Sequence, residues 1–191
     1  MATKPALIAR MRPVPVLRPA CAALIAALVS AAALAAPVRA AAPEPRQPVD
    51  IARFIGRWFE VARTPNPREQ VCVSASMDLA PARGGRLSVV QTCRKADPSA
   101  SLQTVRAGAR FDDGDGHTRF DVTFLGGLMR AHYRVLDHHA QYRWAVVSTS
   151  GGRYVWLFAR NPHLSAASLK KAEASLVSLG YDPSRLVYPQ G

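Results

Sequence analysis

From residue 57 onward the chain alternates apolar and polar residues in short runs that break on Gly, Pro or Asp, roughly every 8 to 12 residues. A period of two puts successive side chains on opposite faces, so most of this chain cannot be helical. Residues 57–63 read as a first strand. Residues 71–79 follow, with Val71, Val73, Ala75, Met77 and Leu79 expected on one face. A turn at 81–85 leads to Leu87, Val89 and Gln91, a hairpin partner. Residues 103–111, then Phe120, Val122 and Phe124, then 131–137 with Tyr133 and Val135, and finally 142–148 and 153–160 continue the series. About eight short strands of this kind specify an all-β sandwich or an up-and-down barrel.

Two segments depart from that period. Asp50 is placed to cap one turn of helix whose apolar face is Ile51, Phe54 and Ile55. Near the end, Ser165 caps a longer helix with Leu169, Ala172, Leu176 and Leu179 in one stripe, and Gly180 stops it. Residues 185–188 read as a final edge strand.

Trp58, early in the first strand, and Arg160, at the end of the last, can stack guanidinium on indole. Such a contact closes one end of a barrel and leaves the other open. If Arg160 points inward, alternation turns Phe158, Trp156 and Tyr154 inward and Ala159 and Arg153 outward.

The first forty residues are expected to be a secretory signal. Lys4, Arg10, Arg12 and Arg18 precede the uncharged apolar run 20–36, and Val38-Arg39-Ala40 suits cleavage after Ala40. Cys21 precedes the apolar run instead of following it, so the expectation is a soluble exported protein, periplasmic or secreted, with no lipid anchor. Residues 41–48 are Pro-rich and read as a flexible leader, and residues 49–191 as one domain. With 5 of the 25 basic residues removed and all 13 acids retained, the mature chain carries about +7. Its arginines are scattered, which implies a solvated surface with at most weak attraction to an anionic membrane. Export excludes nucleic acid as the usual partner. The oligomeric state is left open.

These residues resemble the lipocalin family, most closely its bacterial lipocalin and apolipoprotein D branch. The likeness covers residues 49 to about 188. Its Gly-x-Trp motif is Gly56-Arg57-Trp58, followed by Phe59-Glu60-Val61-Ala62-Arg63, and its closing Arg is Arg160. Of the middle motif only Asp137, in Leu136-Asp137-His138, fits. The resemblance implies an eight-stranded antiparallel up-and-down barrel, or calyx, with one C-terminal α-helix packed outside. It also implies barrel closure by Gly56, Trp58 and Arg160. Inside, alternation places Glu60, Met77, Val89, Gln91, Val122, Phe124, Tyr133, Tyr154 and Trp156 as the ligand-binding set. The branch suggests a fatty acid or lysophospholipid, carried or stored in the service of membrane maintenance, with no cofactor.

Cys72 and Cys93 flank the first hairpin symmetrically about residues 82 and 83 and are expected to form a disulfide. They are directly opposed in one register; matching Met77 with Val89 makes the bridge diagonal. A free Cys93 would instead permit an enzyme on the same barrel, an isomerase or hydrolase of hydrophobic substrates. His138 and His139 read as solvated turn residues, and His132 has the wrong parity for an inward haem ligand if Tyr133 points in. The acidic turn 112–116 lacks the bidentate Glu of a calcium loop, so no metal site is expected. No catalytic motif is present.

Overall fold

The computed structural model describes residues 41–189; the expected signal segment, with Cys21, lies outside them. A short helix, α1 (Ile51–Phe54), leads into β1 (Gly56–Arg63), β2 (Cys72–Pro81), β3 (Leu87–Lys95), β4 (Gln103–Phe111), β5 (Arg119–Phe124), β6 (Met129–His138), β7 (Trp144–Thr149) and β8 (Val155–Ala159). A longer helix, α2 (Ala166–Ser178), follows. Consecutive strands pair antiparallel, and β8 pairs back onto β1, so the sheet closes into a barrel without free edges. This is the expected eight-stranded up-and-down barrel with one helix outside.

The caps form as the sequence implies. The Asp50 side chain accepts from the Arg53 N–H, and the Ser165 side chain accepts from the Ser168 N–H. Gly180, at φ +84°, takes the left-handed turn that ends α2.

Two cores result. One fills the lower barrel, around Phe54, Trp58, Leu79, Leu87, Phe111, Phe120 and Val147. The other lies between the barrel wall and α2, where Leu136, Val146, Val155, Leu157, Ala172 and Leu176 are fully buried. Trp144 to Ser148 of β7 are therefore buried throughout, one face inward and the other under the helix. The outward face of β8 was expected to be small or polar. Ala159 stands there as expected, but so do Val155 and Leu157, and all three are buried in the core beneath α2.

Bulges shift the phase that simple alternation assumes. In β2 the register slips between Cys72 and Ser74, so Cys72 is buried while Val71 and Val73 are exposed, not inward as expected. In β6 a slip between Val135 and Asp137 sends Val135 into the barrel and Leu136 under α2.

The first hairpin follows neither expected register. Met77 faces Gln91 and Leu79 faces Val89, because the turn is centred on the 3₁₀ turn Arg83–Gly85 and not on residues 82 and 83. Cys72 consequently faces Lys95, and the disulfide to Cys93 runs diagonally across a Cα–Cα distance of 5.4 Å.

Three further expectations are corrected. Residues 41–48 are not a loose leader: Ala42 N–H donates to Ser150 O, Arg46 N–H to Leu136 O (2.9 Å) and Val49 N–H to Gly116 O (2.8 Å). Glu44 pairs with Arg134 and Arg119, and Gln47 donates to Asp137. That segment covers His138, which is not solvated. His138 is buried, stacks on Tyr142 at 4.2 Å, and meets Pro48 O through Nε2 at 2.9 Å. The edge strand at 185–188 shrinks to one bridge, Arg63 with Val187, after the 3₁₀ turn Pro183–Arg185.

Candidate functional site: the barrel cavity

The closed end is built from the backbone outward. Gly56 adopts φ +107°, and a Cβ there would sit 3.2 Å from Arg160 Nη1. That residue must lack a side chain so that Arg160 can fold over Trp58, its guanidinium carbon 3.7 Å from the ring centroid. Arg160 also donates to the carbonyls of Arg53 (2.6 Å), Ile55 (2.9 Å) and Arg57 (2.8 Å). Trp58 Nε1–H donates to Phe54 O at 2.8 Å. The four residues around α1 are thereby clamped across the barrel base.

Above this plug the aromatic side chains form a continuous series towards the mouth. Phe54 meets Phe111 edge-on at 5.7 Å, Phe111 meets Phe120 at 5.0 Å, and Phe120 stacks on Tyr133 at 5.4 Å. Tyr133 meets Trp156 at 6.0 Å, and Trp156 meets Tyr154 at 6.3 Å. The lower members fill the barrel. The upper ones line a narrow inner chamber of about 80 Å³, which adjoins a vestibule of about 610 Å³ at the open end. The vestibule is of the size that takes drug-sized ligands.

Every residue of the expected binding set stands on this wall. Glu60, Met77, Val89 and Val122 line the chamber, and Tyr154 lines the vestibule. Gln91, Phe124, Tyr133 and Trp156 are shared by both. Phe120 belongs with them and shares the parity of Val122 and Phe124, so alternation could have named it.

Glu69 was not anticipated. It lies in the loop between β1 and β2, and that loop folds its carboxylate into the wall. Glu69 Oε1 accepts from Gln91 Nε2 at 2.8 Å, and Oε2 accepts from Trp156 Nε1 at 3.1 Å and from Asn66 Nδ2. Arg63 is 3 % exposed. It bonds Glu60 Oε1 through Nη1, while its Nη2 donates to the carbonyls of Glu69 (2.8 Å) and Cys72 (3.0 Å). Burial, reinforced by Glu69, raises the pKa of Glu60 to about 7 against the opposing pull of Arg63. Burial and Glu69 likewise raise that of Tyr133.

Cys72 and Cys93 line the vestibule, but each sulfur is bound to the other. The thiol that a Cys93-based enzyme would need is consumed. His132 lies outside the barrel with its ring against Asp121. Among the described residues, no group of three or more His, Cys, Asp or Glu is arranged to hold a metal ion.

A family model described as a lipocalin-like domain matches residues 49–191. The outer membrane lipoprotein Blc of Vibrio cholerae is 24% identical over 151 residues, covering 78% of this chain and 88% of that protein. Apolipoprotein D of Mus musculus is 22% identical, covering 75% and 78%. Among solved structures, insecticyanin from the tobacco hornworm Manduca sexta superposes with a TM-score of 0.64 at 15% identity, covering 78% of this chain and 84% of that one. Lobster apocrustacyanin A1 does so at 0.58 and 18% identity, covering 79% and 91%.

Proposed function

Because this chain belongs to the lipocalin family, in its bacterial lipocalin and apolipoprotein D branch, we propose that it is an exported, non-enzymatic carrier. Its cargo is one single-chain lipid of the fatty acid or lysophospholipid type, moved or stored for membrane maintenance. The observation that carries this reading is a cavity closed at one end by Arg160 on Trp58, walled by aromatic side chains, and open at the other. A buried alkyl chain supplies about 0.8 kcal/mol per CH₂, so a tail of roughly 14 to 16 carbons gives micromolar binding after the cost of association.

The open rim favours exchange with a lipid surface. Val71, Leu102, Leu125, Leu128 and Met129 are exposed there, with Leu128 87 % accessible. Arg68, Lys95, Arg130 and Arg153 stand at the same end of the barrel. Apolar groups interspersed with cations suit an anionic membrane face. The name of the Vibrio cholerae relative, an outer membrane lipoprotein, supports export and lends no support to an unanchored protein.

The test is native mass spectrometry of the purified mature protein, followed by organic extraction. One lipid per chain is the expected result. A protein that arrives without lipid and takes up none from a fatty acid and lysophospholipid panel would overturn the reading.

A further inference from the structure

The wall of the inner chamber is mostly apolar; its polar side chains are Glu60, Glu69, Ser76, Gln91, Tyr133 and Trp156, and of these only Glu60 has a buried atom without a partner. Glu60 is 5 % exposed. Its Oε1 is taken by Arg63, its Oε2 is buried with no hydrogen-bond partner, and the residue lines the chamber. An orphaned buried carboxylate oxygen is costly, and a donor brought by a ligand removes that cost. No Lys, Arg or His lines the chamber. Arg63, the cation behind the wall, is committed to Glu60 Oε1 and to two backbone carbonyls. Both oxygens of Glu69 already accept, Oε1 from Gln91 and Oε2 from Asn66 and Trp156. Two carboxylates thus surround one guanidinium, and the one unfilled valence is an acceptor.

We propose that the chamber selects ligands whose buried end is a hydrogen-bond donor, a hydroxyl or a protonated amine that donates to Glu60 Oε2, and that it excludes a carboxylate end. The inference rests on the carrier reading and specifies which end enters the chamber: a fatty acid or lysophospholipid is taken with its methyl end inward and its anionic end in the vestibule. A phosphate finds a cation, Arg68, on the vestibule wall and none on the chamber wall. A carboxylate end placed beside Glu60 would bring a second anion against an acceptor with no cation to offset it, the arrangement most penalised in a dry site.

The test compares dodecylamine, dodecan-1-ol and dodecanoate by isothermal titration on the wild-type protein at pH 8. All three share one tail, so tail burial cancels and the end group is read alone. The amine and the alcohol are expected to bind about tenfold or more tightly than the acid, the worth of a hydrogen bond to a charged partner. Glu60→Gln keeps an oxygen for Arg63 and puts an NH₂ where Oε2 stood, so it should cut amine affinity by a similar factor and spare the alcohol, whose hydroxyl can accept from that NH₂. Equal affinities for all three compounds in the wild type would overturn the selection while leaving the carrier intact. No binding of any of the three, nor of the wider lipid panel, would overturn the carrier itself. Should Glu60→Gln fail to fold, the wild-type series alone still decides.

Discussion

The guanidinium carbon of Arg160 lies 3.7 Å above the ring of Trp58, joining residues 102 positions apart across the base of the barrel. One side chain thereby satisfies carbonyls at Arg53, Phe54, Ile55 and Arg57 and covers an indole that is fully buried. Removing it exposes the indole and takes a donor from all four carbonyls, of which Phe54 O keeps the Trp58 N–H. Arg160→Ala should cost about 2 to 4 kcal/mol in urea denaturation. Arg160→Lys should recover little, because an ammonium cannot reproduce the planar fork over the ring. Recovery of most of the loss by Lys would mean that charge, not geometry, closes the barrel.

Gly56 reports on the same contact from the other side. Gly56→Ala forces a left-handed φ on an L-residue and places a methyl 3.2 Å from Arg160 Nη1. A loss of about 1 to 2 kcal/mol is expected. In an Arg160→Ala background the steric part of that loss should disappear, which a double-mutant cycle reads directly.

The disulfide ties the vestibule wall. Cys72 and Cys93 are 21 residues apart, and the bridge fastens the bulged start of β2 to the end of β3. Replacing both cysteines by Ala should lower stability by about 2 to 4 kcal/mol. Thiol labelling of the unreduced, denatured protein should find no free thiol on the mature chain.

Most of the fold was legible because two strict periods leave few alternatives. Residues 154, 156 and 158 turned inward as the parity of Arg160 requires, and Ser165 and Gly180 bounded the last helix. What misled was local departure from period two. The bulge after Cys72 inverted Val71 and Val73, and the longer 3₁₀ turn moved the hairpin register. The bulge carries no residue type that announces it, and Gly84 and Gly85, both at positive φ, announce the turn but not its register. The cavity wall was legible only where strands supply it. Glu69 comes from a loop, and its inward turn depends on Asn66, Gln91 and Trp156 meeting in three dimensions. His138 was misjudged for the same reason, since the segment that buries it is a Pro-rich stretch with no period to read. The weakly matched middle motif kept its one structural duty: Asp137 accepts from Gln47 and from Ser175 of α2, holding leader, barrel and helix together.

Trp156 stands where chamber and vestibule meet, and its ring, not its contribution to the core, is what a ligand would touch. Trp156→Ala should reduce lipid affinity at least about tenfold while costing less stability than burial of a full core aromatic would imply. Trp156→Phe, which keeps a ring but drops the N–H to Glu69, should restore most of the binding. Unchanged affinity in Trp156→Ala would place the ligand elsewhere.

Glu60 makes stability depend on pH in a stated direction. Its folded pKa, about 7, lies above the ordinary carboxyl value of 4.5. Between these values the folded protein holds more protons than the unfolded chain, so unfolding free energy falls as pH rises through that window. The contribution is complete below about pH 4.5 and gone above about pH 7. Comparing urea midpoints at pH 5 and pH 8, wild type should lose about 1 to 3 kcal/mol more than Glu60→Gln does. Parallel pH profiles for the two proteins would mean that Glu60 is ionised throughout.

Leu125 and Leu128 lie in the short turn between β5 and β6, and both are more than two-thirds exposed at the open rim. Side chains this exposed contribute little to folding, so replacing them should have little effect on the isolated barrel. On a bilayer the same two side chains would enter the interface while Arg68, Arg130 and Arg153 face the headgroups, each cation adding about 1 kcal/mol near an anionic surface. Leu125→Asp combined with Leu128→Asp should therefore leave thermal stability within about 0.5 kcal/mol. Co-sedimentation with phosphatidylglycerol vesicles should fall several-fold, and transfer of ligand from those vesicles should slow by the same factor. Vesicle binding that survives both substitutions but vanishes at high salt would assign the contact to the arginines alone.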